Sequence, residues 1–333
     1  MPSTYKVRQV WLPDNIDYTG NFFSRNLAQI LNCRVEFTRD SEAYVDAEIV
    51  GVFSHLPSIL DRYHEKLRQR LRLVKGYPFI HGGLNRDVAV KYDMRNPPST
   101  KNYKKRIWFS GENIRPPFGF DYDATISFDL DAFHDSNIYG PISYLLLSEK
   151  PSWIDPLLGL PIDAEKLKLA RKFPNEVLGR KLACAFVGND HNMRLRFIEE
   201  LKKFGDVDVF GSAVGRPVKN KASLAGQYKF VICFENDLYP GYITEKLVHA
   251  YLCDSVPLYW GDIQNDHVFN KASFMNLHNF DSIESFAYCV GNMSEEDYIE
   301  RYRQPLVLNT KPIEEMLAKI KEAFTKPSSY NRI

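Results

Sequence analysis

The chain has 333 residues, a formal net charge of +1, 44% hydrophobic and 26% charged residues, which suits two packed domains of about 100–200 residues each and argues against disorder. The near-zero charge gives no global field to hold a nucleic acid, so no nucleic-acid partner is expected. No uncharged apolar run of about 18 residues occurs, and the start Met1-Pro2-Ser3-Thr4-Tyr5-Lys6 lacks the apolar segment of a signal peptide, which reads as a cytoplasmic protein, at most peripheral on the inner membrane face.

In chain order, short apolar segments at Val7–Trp11, Val35–Phe37, Ile49–Phe53, Pro78–His81, Ile107–Phe109 and Thr125–Phe128 predict strands. Leu60, Tyr63, Leu67, Leu71 and Val74 recur at steps of three or four and predict a helix over 59–74, with a basic, solvated outer face. A Pro/Gly-rich stretch from Gly140 to Pro161 marks an interdomain linker. A second series follows: strand Leu182–Val187, helix Asn192–Phe204, strands Val207–Phe210 and Phe230–Phe234, helix Glu245–Cys253, strands Val256–Tyr259 and Phe274–Leu277, then helices from Ser282 onward. Continuous apolar strands such as Phe230–Phe234 suit a parallel sheet covered on both faces. The expected architecture is α/β, with two Rossmann-like domains facing each other across a cleft: 1–150, 163–310, and a C-terminal helix and tail over 311–333.

The five cysteines are scattered without a CxxC pair and read as reduced, buried thiols; the eight histidines show no HxxxH or HExxH spacing, so no built-in metal site is expected. Chemistry concentrates in residues 228–247. A buried strand ends in Glu235-Asn236, and a Pro240-Gly241 turn leads past Tyr242 to Thr244-Glu245-Lys246 at a helix start. Ligands of parallel sheets bind where strand ends meet helix starts, and a free helix N-terminus favours phosphate. Lys246 in a first turn opposes the helix dipole, a conflict that an anionic ligand would resolve, while Glu245 suits ribose hydroxyls. The plain structural alternative is Thr244 as helix cap, Glu245 as dipole partner and Lys246 on the surface. With no GxxxxGK[ST] loop present, point cations must supplement the helix end; Arg194 suits a diphosphate clamp and Arg196 a surface position. In the first half, the strand before Ser110-Gly-Glu-Asn113 places Glu112 at a strand's carboxyl end, as a general base.

These segments resemble the α-1,3/α-1,4-fucosyltransferases of glycosyltransferase family 10. The similarity lies in Phe234-Glu-Asn, Tyr242-Ile-Thr-Glu-Lys-Leu247 and Val256-Pro-Leu-Tyr-Trp-Gly261, with Phe109-Ser-Gly-Glu-Asn-Ile-Arg-Pro116, Phe120–Asp129 and Ala185-Phe-Val-Gly-Asn189 in the same order. It covers roughly residues 105–280. The resemblance implies a GT-B fold, an N-terminal acceptor domain, and a C-terminal domain binding GDP-fucose. It implies Glu112 as catalytic base, Arg194 on the diphosphate, and Asn236, Tyr242, Glu245 and Lys246 as donor contacts, with Glu235 and Thr244 counted in the same donor segment. The reaction expected is inverting transfer of L-fucose to an N-acetylglucosamine or glucose hydroxyl of a lactosamine- or lactose-type oligosaccharide, with no cofactor required and a divalent cation at most stimulatory. The alternatives are a GT-B transferase using another nucleotide sugar and a non-catalytic nucleotide-sugar-binding protein. Asp237-Leu-Tyr-Pro-Gly241 departs from the Ser or Thr that commonly follows Glu-Asn, and no C-terminal heptad repeats, basic tail or membrane anchor is seen. A bacterial enzyme acting on lipopolysaccharide or protein glycans fits this pattern.

Overall fold

The structure, a computed structural model, describes residues 4–10, 21–51, 100–115, 121–130, 136–188, 192–262 and 267–328. The strand expected at 78–81 and the helix at 59–74 lie outside these. The described residues up to 145, joined by 313–328, form one compact unit, and 146–312 form the other. No helix of the described residues is long and apolar enough to cross a membrane.

The first unit is built on a six-stranded sheet: β1 (Thr4–Val10), β2 (Arg34–Thr38), β3 (Ala47–Gly51), β4 (Arg106–Phe109), β5 (Ala124–Ser127) and β6 (Asn137–Tyr139), in the order β2-β1-β3-β4-β5-β6. Neighbouring strands pair in parallel. The helix Phe22–Leu31 starts at Asn21, whose side chain accepts the Ser24 N–H at 3.1 Å, and buries Phe22, Phe23, Leu27 and Leu31. Within this apolar sheet runs a charged ladder, because Arg8 pairs in register with Glu48 and Glu48 with Arg106. All three are buried. The Glu48 carboxylate accepts from Arg8 at 2.9 Å, Arg106 at 2.8 Å and the Thr100 hydroxyl at 2.6 Å. Arg8 also donates to the carbonyls of Asp40, Ala43 and Lys101, so the ladder gathers two loops against the strands.

The helix Lys311–Thr325 belongs to this first unit, where the sequence division set 311–333 apart as a tail. Its stripe of Ile313, Met316, Ile320 and Phe324 is buried. The Tyr5 hydroxyl donates to the Phe324 carbonyl at 2.6 Å, and Lys105 Nζ donates to the Ala323 carbonyl at 3.0 Å. The stretch 140–161 is also more ordered than a plain linker, since Ile142–Leu147 is helical and the unit boundary falls inside that helix.

The second unit holds β7 (Lys181–Phe186), β8 (Val207–Phe210), β9 (Tyr228–Phe234), β10 (Val256–Trp260) and β11 (Met275–Asn276), in the order β11-β10-β9-β7-β8. These strands are parallel too. Counted from its own first strand, this sheet has the doubly wound order 2-1-3-4-5, and the first unit repeats it with one strand added. Both units are thus α/β with parallel sheets, as the sequence indicated. Phe197 and Phe286, from helices Asn192–Leu201 and Ile283–Gly291, stack at 4.8 Å; Phe197 also stacks on Phe234 of β9 at 5.0 Å, which fixes those helices to the sheet.

Candidate functional site

In the 2-1-3-4-5 order the chain leaves β7 toward β8 and returns to β9 on the other side, so the loops after β7 and β9 diverge and leave a crevice at the strands' carboxyl ends. A cavity of about 390 Å³ lies there, lined among others by Phe186, Val187, Arg194, Asn236, Glu245 and Lys246. Gly211 forms part of its wall at φ +120°, and a Cβ on it would stand 2.2 Å from the Val187 carbonyl oxygen. Only glycine lets the end of β8 run this close to the end of β7.

The segment after β9 is arranged by its own residues. Tyr239-Pro240-Gly241-Tyr242 is a type II turn: Gly241 has φ +80°, and the Tyr242 N–H donates to the Tyr239 carbonyl at 3.0 Å. It returns the chain to Glu235, which is fully buried. One oxygen of that carboxylate accepts the Thr244 N–H at 2.8 Å and the Tyr259 hydroxyl at 3.3 Å. The other accepts the Thr244 hydroxyl at 2.7 Å and Lys246 Nζ at 3.0 Å. A Cβ on Gly261 would stand 2.8 Å from Glu235 Cγ, so glycine is needed here as well.

Of the residues singled out in the sequence, Arg194, Asn236, Glu245 and Lys246 line the cavity together. Glu235, Tyr242 and Thr244 are buried and are not among its lining residues. Glu235 and Thr244 instead form the mount for Lys246, whose Nζ also reaches the Thr244 hydroxyl at 2.9 Å. Thr244 does not cap the helix. The helix Lys246–Leu252 starts at Glu245 without a side-chain cap and is only seven residues long. Arg194 is held by donating to the Phe234 carbonyl at 2.7 Å and Asn236 Oδ1 at 3.2 Å. Arg196 is exposed and lies 3.7 Å from Glu284, in keeping with a surface position.

The charges are well defined. Burial pulls Lys246 down, but the carboxylates of Glu235 and Glu245 more than offset this and hold it above its ordinary value. Burial pushes Glu245 up, and Lys246, His249 and Lys221 together bring it down to about 2, so it is an anion at neutral pH. Burial also lowers Arg194, opposed by Glu235, but a guanidinium remains charged. Three cations (Arg194, Lys246 and Lys221), one carboxylate and apolar walls of Phe186, Val187, Val231 and Val218 suit a ligand with an anionic part, hydroxyls and a flat apolar group.

Glu112 belongs to the first unit, exposed on the loop after β4. That loop is tied down at both ends. The Ser110 hydroxyl accepts the Glu112 N–H at 3.1 Å and donates to the Glu112 carbonyl at 3.0 Å, while buried Arg115 pairs with buried Asp129. Sequence reasoning did not single out Lys221 and His249, which also line the cavity. His249 lies four residues after Glu245, one helical turn along the same face, and that spacing was the available signal. All five cysteines are free; Cys184, Cys233 and Cys253 are buried, whereas Cys33 and Cys289 are only partly so.

Residues 179–305 match the family described as "Glycosyltransferase family 10 (fucosyltransferase) C-term". The chain is 31% identical over 202 residues to the alpha-(1,3)-fucosyltransferase of Helicobacter pylori, covering 54% of this chain and 42% of that one. It is 26% identical over 220 residues to 4-galactosyl-N-acetylglucosaminide 3-alpha-L-fucosyltransferase 9 of Bos taurus, covering 63% and 56%. The chain therefore spans about half the length of the curated relatives it matches. In fold it is similar to a crystal structure of an alpha1,3-fucosyltransferase, at TM-score 0.66 and 21% identity over 100% of this chain and 93% of the other, and to that kind of enzyme with GDP-fucose, at TM-score 0.65. The two parallel α/β units accordingly have the GT-B type of fold, and residues 179–305 carry the similarity to glycosyltransferase family 10.

Proposed function

We propose that the protein is an inverting α-1,3-fucosyltransferase that moves L-fucose from GDP-fucose to an N-acetylglucosamine or glucose hydroxyl of a lactosamine- or lactose-type glycan. The observation that carries this reading is the cavity at the β7/β9 divergence with Arg194 and Lys246 mounted in its lining. The relatives named as fucosyltransferases support the sugar. In this reading the two cations take the diphosphate, Glu245 the ribose hydroxyls, and Asn236 a further donor contact.

The chemistry is one displacement. Glu112 takes the proton of the acceptor hydroxyl as its oxygen bonds to C1 of the fucose, the C1–diphosphate bond breaks on the opposite face, and GDP leaves with the bonding pair. Lys246 and Arg194 stabilise the charge that develops on the leaving diphosphate, so no second carboxylate is needed to protonate it. The test is release of GDP from GDP-fucose with lactose, N-acetyllactosamine and their isomers offered as acceptors. GDP binding without release on any acceptor overturns the transferase reading.

Lys246→Met is expected to weaken GDP binding by roughly ten- to a hundred-fold, the value of one lost charge-assisted hydrogen bond. Calorimetric titration with GDP checks this, and an unchanged affinity removes Lys246 from the phosphate site.

A further inference from the structure

Beyond Arg194 and Lys246, the cavity lining includes a further cation, Lys221, which opens the helix Lys221–Ala225. Its backbone N–H donates to the Leu157 carbonyl at 3.1 Å, which fixes the helix start to the 155–159 loop. Its Nζ lies 3.5 Å from His249 Nδ1 and 5.9 Å from the centre of the Phe186 ring. His249 is buried, with Nε2 3.4 Å from Asp155 Oδ2. Asp155 is itself fixed, because its Oδ1 accepts the N–H groups of Leu157 at 2.9 Å and Leu158 at 2.8 Å. His249 sits between the Lys221 ammonium, on the Nδ1 side of its ring, and the Asp155 carboxylate, on the Nε2 side. Asp155, His249 and Lys221 thus form a chain that holds an ammonium beside an aromatic wall of the cavity.

Phe186, whose ring lies near the Lys221 ammonium, lines the cavity together with the apolar Val187, Pro217 and Val218. A phosphate needs converging donors, which Lys246 and Arg194 supply in the reading proposed above, whereas a flat base gains from apolar contact. An ammonium only donates. It matches the O6 and N7 acceptors of guanine and is opposed by adenine, which presents an amino donor where guanine has O6. We infer that Lys221, positioned by His249 and Asp155, reads the O6/N7 edge of a guanine base and makes the cavity prefer guanine over adenine nucleotides. This rests on the donor assignment proposed for the same cavity.

The experiment is competitive titration of the full chain with GDP, IDP and ADP, before and after Lys221→Met. IDP keeps the O6/N7 edge and lacks the 2-amino group, so it separates this contact from any reader of that group. GDP and IDP are expected to weaken together by roughly ten-fold, with ADP unchanged, so that the preference for guanine shrinks by the same factor. Equal weakening of all three nucleotides, or no weakening of GDP, overturns the inference. Absence of GDP binding by the unaltered protein overturns the donor assignment itself, and is seen before any variant is made. If Lys221→Met lowers the thermal unfolding temperature by more than a few degrees, Lys221→Gln carries the same comparison.

Discussion

Glu112→Gln is expected to leave GDP affinity unchanged and to lower fucosyl transfer by roughly a hundred- to ten-thousand-fold, the usual contribution of a positioned general base. The substitution keeps the shape of the side chain and removes its ability to accept a proton. Glu112 is exposed, and the bonds that tie residue 112 to Ser110 are made by its backbone and survive the substitution. The Arg115–Asp129 pair that holds the rest of the loop is untouched. GDP titration and rate of GDP release, measured on the same preparation, check both halves of the expectation. Transfer within a few-fold of the unaltered protein would remove Glu112 as the base.

The largest stability effect is expected at Glu48, in the middle of the charged ladder. Glu48→Gln leaves two buried guanidinium groups facing a neutral amide, and the new NH₂ must sit opposite donors from Arg8, Arg106 or Thr100. Breaking a buried ion pair by removing one partner costs about 3–5 kcal/mol. For a unit of this size that corresponds to a fall of roughly 10 °C in the unfolding temperature. Thermal unfolding followed by near-UV dichroism or calorimetry checks it, and a change below about 2 °C would mean that the guanidinium groups find other partners. GDP binding by the second unit should survive at temperatures where the variant is folded.

What the sequence discloses depends on how local the determining contacts are. Strands β7, β9 and β10 are legible because each is a continuous apolar run, and the turn at 239–242 because Pro240 and Gly241 occupy the positions a type II turn demands. β6 escapes notice because it has three residues and begins with Asn137, whose Oδ1 accepts from the Thr125 and Ser127 hydroxyls across the neighbouring strand. Arg194, Asn236, Glu245 and Lys246 are legible as a group because most of them sit within one strand–turn–helix segment. Whether a carboxylate faces a ligand or its own neighbours is not a local property: Glu235 looks like a contact in the sequence and proves to be the mount beneath Lys246. The Asp155–His249–Lys221 chain joins three separate segments, so no single stretch of sequence displays it.

The amphipathic stripe of Lys311–Thr325 shows that the helix needs an apolar partner and not which one. That it shares a core with Tyr5 and Phe23 sets the order in which the chain can be completed during synthesis. The ribosome delivers residues 146–312 before the last piece of the first unit exists. The unit containing the earliest residues is therefore the last to close. Until Phe324 emerges, the first unit carries an unfinished apolar surface, whereas every described strand of the second has already been made.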